Sequence, residues 1–167
     1  MRLKRLWIVI LVTYQFERSN RSHTRMGWSF IIYHGDSEQL NDLDLWTLRH
    51  FFIDEARAME GTQPSDEAAR LRQFFESWDW AGPGVFVGTD FSEFVLDSRP
   101  RWELLLQVLH RAGDRIAEFG DFIPLEYLTA NVSTRTAWFT QPQATRNYWL
   151  CIGRICNLLG RHEPRAP

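Results

Sequence analysis

Residues 98–120 read SRPRWELLLQVLHRAGDRIAEFG, and the rest of the chain is parsed outward from this stretch. Trp102, Leu105, Leu109, Ala112, Ile116 and Phe119 recur at alternating spacings of three and four, the period of a helix with one apolar face. Ser98 stands where an N-cap belongs, Pro100 falls in the first turn, and Gly120 supplies a stop that can adopt positive φ. Such a helix has to bury its stripe, so the flanking sequence must supply a core.

Downstream, Pro124 to Leu128 predicts a single helical turn, and Val132, Thr134, Thr136 and Trp138 alternate as a strand does. Thr140 with Gln143 resembles a capping box that opens a last helix. Its inner stripe is Ala144, Tyr148, Cys151, Ile155 and Leu158, and it ends at Gly160. Upstream, Val85 to Val87 and Phe91 to Leu96 read as short strands around a turn at Gly88 to Asp90. Ser65, followed by Asp66 and Glu67, starts a helix carrying Ala68, Leu71, Phe75 and Trp78, which Gly82-Pro83-Gly84 stops. Asn41 caps another, with Leu45, Leu48, Phe52, Ala56 and Met59 inward and an end near Gly61. Leu6 to Phe16 and Gly27 to His34 are rich in β-branched and aromatic residues and read as an antiparallel hairpin across a polar loop at Glu17 to Met26. The order β-β-α-α-β-β-α-β-α lacks strict βαβ alternation. The expected fold is therefore α+β, a mainly antiparallel sheet with about four packed helices, in a single domain over residues 1–160 with a flexible tail at 161–167.

The chain has 167 residues, enough for one core, and its composition is that of a globular protein rather than a disordered one. Eight Trp and twelve Phe suit both a core and an interface. The net charge of −2 hides an uneven distribution: residues 1–25 carry +5, residues 34–130 carry −11 and residues 131–167 carry +4. No basic stripe with interleaved aromatics appears, which argues against a nucleic-acid partner. Arg2, Lys4 and Arg5 before Leu6 to Val12 resemble a secretory signal, yet the run is too short to span a bilayer and no small-residue cleavage site follows. A buried strand is the better reading, and no membrane partner is expected. Cys151 and Cys156, five apart on a helix, point roughly 140° away from each other and read as reduced thiols, so the expected location is cytoplasmic.

Chemistry is sparse. His50 with Asp54 and His110 with Asp114 stand four apart on helices, where they read as surface pairs without the further ligands of a metal site. His34-Gly35-Asp36 ends a strand and reads as a polar turn. The glycines at 82, 84 and 88 lack the Lys of a Walker loop, and there is no GxSxG or CxxC. No catalytic residue, metal ligand or cofactor-binding residue is assigned. A small enzyme using His34, Asp36 or the helical His–Asp pairs, or an accessory subunit without catalysis, is the alternative.

The Gly27-Trp28-Ser29 strand start, the Phe51-Phe52 helix, the Trp78-Asp79-Trp80 helix end, the Gly120 to Leu128 segment and Thr140-Gln141-Pro142 before the terminal helix resemble small bacterial immunity proteins of contact-dependent or polymorphic toxin systems. The resemblance implies a binding protein, not an enzyme, which neutralises one cognate toxin domain by covering it. No functional residues carry over from it. The acidic middle of the chain suits a basic partner. The expected partner surface is Asp36, Glu38, Asp42 and Asp44, joined by Asp79 and Trp80, with Asp42 and Asp44 in solvent at a helix start.

Overall fold

The computed structural model describes residues 27–62, 65–78, 88–132 and 139–165. The expected strands at Leu6 to Phe16 and Val85 to Val87, the Gly82-Pro83-Gly84 stop, and Asp79, Trp80 and Trp138 lie outside the described residues.

Strands β1 (Trp28–Tyr33) and β2 (Asp36–Asn41) form an antiparallel hairpin, in register from Trp28 opposite Asn41 to Tyr33 opposite Asp36. His34 and Gly35 join them with φ of +50° and +84°. Positive φ at both central residues is the requirement of a two-residue type I′ turn, whose twist matches that of the flanking strands. On the other side of β1, β3 (Gly88–Asp90) pairs in parallel with Phe30 to Ile32, giving the order β2-β1-β3. The sequence reading missed β2 because DSEQLN has no apolar alternation; the tight turn and its pairing with β1 make it a strand. The sheet is thus mixed.

Helix α1 (Asp42–Thr62) follows β2 without a loop. Asn41 Oδ1 accepts from the N–H groups of Leu43 and Asp44 at 2.9 and 3.3 Å, the expected cap. Leu45, Leu48, Phe52, Ala56 and Met59 are buried as the periodicity predicts. Ser65 likewise caps α2 (Asp66–Glu76), its hydroxyl accepting from Ala68 N–H at 3.1 Å. Arg49 closes the far end of α2, donating to the carbonyls of Phe75 and Glu76 at 2.9 and 2.8 Å, groups that a helix terminus leaves unpaired.

The expected strand at Phe91 to Leu96 is instead a turn and a short helix, α3 (Ser92–Val95). Asp90 Oδ1 accepts from Ser92 N–H at 2.8 Å and bends the chain there. Phe91, Phe94 and Val95, at helical spacing, are all buried. Helix α4 (Arg99–Ala117) has the expected stripe: Trp102, Leu105, Leu109, Ala112 and Ile116 are buried, and Gly120 takes φ +72° just beyond it. Ser98 occupies the N-cap without a side-chain hydrogen bond.

Strand β4 (Phe122–Ile123) leads through Pro124 into α5 (Leu125–Tyr127), the expected single turn, which continues as a π-helical turn over Leu128–Val132. Val132 therefore closes a turn rather than opening a strand. Gln143 does not build a capping box with Thr140, because β5 (Gln143–Ala144) pairs antiparallel with β4. Helix α6 (Thr145–Arg161) starts after it. Thr145 ties that start to the end of α4, its N–H donating to Asp121 O at 3.0 Å and its hydroxyl to Gly120 O at 2.7 Å.

Helix α4 packs on α6 and α1, and α1 and α6 pack on β1 and β2, giving one α+β domain. Trp102 Nε1 donates to Leu159 O at 3.2 Å between α4 and α6. No described helix is long and apolar enough to cross a membrane.

Leu109 is fully buried in mid-stripe, so Leu109→Ala is expected to cost about 2–5 kcal/mol. Asn41→Ala is expected to cost about 1 kcal/mol through the lost cap. Urea unfolding of each variant checks both values. Wild-type stability of Leu109→Ala would show that the α4 face is not a core face.

Candidate functional site

The acids of the expected partner surface are mostly committed inside the molecule. Asp42, expected in solvent, is 1% exposed and accepts a hydrogen bond from the Ser29 hydroxyl of β1. It belongs to the strand–helix junction, because a helix that begins directly after β2 turns its first side chain back onto the sheet. Asp44 is half-buried at the same helix start. Glu38 accepts from Arg154 Nε and Nη2 at 3.0 and 2.7 Å and from Arg161 Nη2 at 3.2 Å. Asp36 lies 2.9 Å from His162 Nε2 and 3.8 Å from Arg161.

These contacts bring the β1–β2 turn to the end of α6. Tyr33 is buried between them and its hydroxyl donates to His162 O at 3.2 Å. Burial, then the charge of Asp97, pushes its phenol up to about 12, so it remains a donor at neutral pH. His34 faces Asp97 at 3.1 Å, and the His34 and His162 rings lie 5.5 Å apart. Arg161 and His162, read from sequence as the start of a tail, thus contact β2, while Arg99 meets Glu163 at 2.6 Å and Pro164 O at 3.4 Å.

The helical His–Asp pairs separate in role. His50 Nε2 is 3.5 Å from Asp54 without a hydrogen bond, and Asp54 also faces Arg57 and Arg115 at 3.6 and 3.1 Å. Burial holds the His50 imidazole below its ordinary range, against the pull of Asp54. Arg115 also reaches Glu55 at 3.6 Å and Tyr127 Oη at 3.3 Å, and lies over the Phe51 ring. This network cross-links α1 and α4. His110 and Asp114 are exposed on α4.

A different surface collects acids that no described cation meets. Asp114 and Glu118 stand four apart on the outer face at the end of α4, Asp121 follows in the turn, and Glu126 lies on α5. All four are exposed, and none has an ion-pair partner among the described residues. Phe122, between Asp121 and α5, is 57% exposed. The sequence reading treats Gly120 as a helix stop and Pro124 to Leu128 as a single helical turn, and assigns no binding role to Asp114, Glu118, Asp121, Phe122 or Glu126; the aromatic Phe122 beside Asp121 is the available signal. The candidate site is this acidic rim around Phe122. Cys151 and Cys156 are free thiols, and burial pushes Cys156 up to about 12, leaving it unreactive.

No family model matches the chain, and neither the curated proteins nor the solved structures include a match to it.

The hydrogen bond from His162, then the charges of His162 and Arg161, hold the Asp36 carboxyl below the usual aspartate range. A depressed folded value means that Asp36 supports stability above the unfolded value, about 3.9, and loses that support as pH falls through the folded one. An NMR titration should therefore place the Asp36 midpoint below about 3.9, and His162→Gln should move it upward. An unchanged midpoint in the variant would remove His162 as the cause.

Proposed function

We propose that the chain is a cytoplasmic binding protein of the immunity type, which neutralises a cognate toxin domain by covering it. We place the contact on Asp114, Glu118, Asp121 and Glu126 around Phe122. The observation that carries this reading is the position of these acids. A helix C-terminus carries partial negative charge, so carboxylates there cost about 0.3–1 kcal/mol each instead of contributing it. Asp114 lies in the last turn of α4 and Glu118 is its C-cap, and neither is paired with an arginine among the described residues. Unpaired acids at an unfavourable helix end, beside an exposed Phe, have a use if a basic partner meets them.

A protein captured by the chain in its source organism and identified by mass spectrometry supplies the partner. The reading then requires that co-expression of the chain protect cells from that protein. Glu118→Lys with Asp121→Lys should leave the fold intact and slow association roughly tenfold or more at low salt, an effect that shrinks as salt rises. Phe122→Ala should weaken binding by at least about 1 kcal/mol. Unchanged association in both folded variants would exclude this surface, and growth arrest despite binding would exclude neutralisation.

A further inference from the structure

We infer that His50 is an acid-sensitive pin: neutral, it closes the packing of α5 and the following π-helical turn on α1, and protonated, it releases them. The segment Leu125–Val132 is tied to α1 at two points. At one end Trp46 Nε1 donates to Val132 O at 3.0 Å. At the other, Tyr127 stacks on Phe51 with ring centroids 5.9 Å apart and meets the His50 ring edge-to-face at 6.3 Å. Phe119, just beyond α4, closes this group of rings at 4.7 Å from Tyr127. The Tyr127 hydroxyl is turned to α4, where Arg115 Nη2 lies at 3.3 Å, so Tyr127 meets α1 through its ring.

The surroundings of His50 suit a neutral imidazole and oppose a charged one. Its Nε2 is buried without a hydrogen bond, 3.5 Å from Asp54 Oδ2. Asp54, the carboxylate that faces it, is already shared by Arg57 at 3.6 Å and Arg115 at 3.1 Å. Along α1 the ring also faces the charges of Arg49 and Arg57, and from α4 that of Arg115. Glu55 is turned to Arg111 and Arg115 at 3.3 and 3.6 Å. From α5 comes Tyr127, whose phenol burial keeps above its ordinary range and therefore neutral. A proton on His50 thus sets an imidazolium among three guanidiniums, with one carboxylate that two of them already hold.

An imidazolium N–H packed against rings without an acceptor is costly. The side chain is 23% exposed, so the ring can reach water by turning outward. That rotation withdraws the edge packed on Tyr127, while Trp46 still holds Val132 and the segment pivots about that bond. Burial, reinforced by the arginines, holds His50 below its ordinary range in the folded chain. The folded state therefore binds this proton less readily than the unfolded one. The stability that neutral His50 contributes is whole above about pH 6.5 and is lost as pH falls from there toward the folded value. Because α5 also carries Glu126, release displaces one edge of the acidic rim; that consequence rests on the binding reading above, and the release itself does not.

On the full chain, an NMR titration should place the His50 midpoint below about 6.5. The amides of Leu125 to Val132 should exchange with deuterium several-fold faster at about pH 5.5 than at about pH 7.5, once the intrinsic pH dependence of exchange is removed. His50→Gln keeps a neutral polar side chain and should abolish this acid response, whatever its effect on stability at neutral pH. Arg57→Gln, at a side chain 61% exposed, removes one facing cation and should raise the His50 midpoint and weaken the response in a folded protein. A His50 midpoint at or above about 6.5, or an equal acid response in His50→Gln, would overturn the pin. So would acid-accelerated exchange spread evenly over α1, α4 and α6, which would mark general unfolding instead of release of one segment.

Discussion

A carboxyl group taken out of water must find hydrogen-bond donors, and the fold is arranged around one that does. Asp42 is both the first residue of α1 and a buried side chain beneath the sheet. Its side chain accepts from Ser29 of β1, and its own N–H donates to Gly27 O at 3.2 Å. Two bonds from one residue thus fix where β1 begins relative to where α1 begins. The helix start also favours a negative charge there. With that junction set and Asn41 capping the next two residues, the direction of α1 is fixed. Its inner stripe then defines where α4 and α6 can pack.

Much of this architecture was legible in the sequence, for a physical reason that also explains the misreadings. Helical periodicity is a local signal, and the stripes of α1, α2 and α4 are buried as their spacing implies. Strand β2 is different, because its identity depends on what lies beside it: DSEQLN becomes a strand only when His34 and Gly35 fold it against β1. Phe91 to Leu96 suits both periods, and the Asp90 side chain decides for a turn. At Thr140 to Gln143 the local capping motif yields to a non-local pairing, that of β5 with β4. Local signals prevail wherever no distant strand competes for the same backbone groups.

The sites were less legible than the fold. His34 was visible as a polar turn residue, but its neighbour His162 comes from a segment that composition marks as a tail. Their proximity follows from α6 running back along the sheet until Arg154 and Arg161 reach Glu38. Glu38 itself read as a surface acid because nothing in the local sequence shows the arginines, over a hundred residues away, that engage it. Charge counted along a chain is therefore a poor guide to charge presented at a surface.

Sorting the acids by what they meet gives a better guide. Asp42, Asp44, Asp66 and Glu67 lie in the first turns of α1 and α2, where the helix dipole favours them. Glu38, Asp54, Glu55 and Glu76 face arginines that join separate elements or successive helical turns. Folding accounts for the position of each of these. It does not account for Glu118 at the C-cap of α4 or for Asp114 in its last turn, where the dipole opposes them and no described arginine compensates. Arg115 lies between them in sequence, yet it points toward Asp54 and Glu55 of α1 and leaves the outer face acidic. Phe122 adds exposed apolar area to that same end of the molecule, although β4 holds its backbone against β5. Carboxylates and an aromatic ring that the fold would be no less stable without, displayed together on a rigid helix end, fit a surface shaped by an external partner rather than by the core.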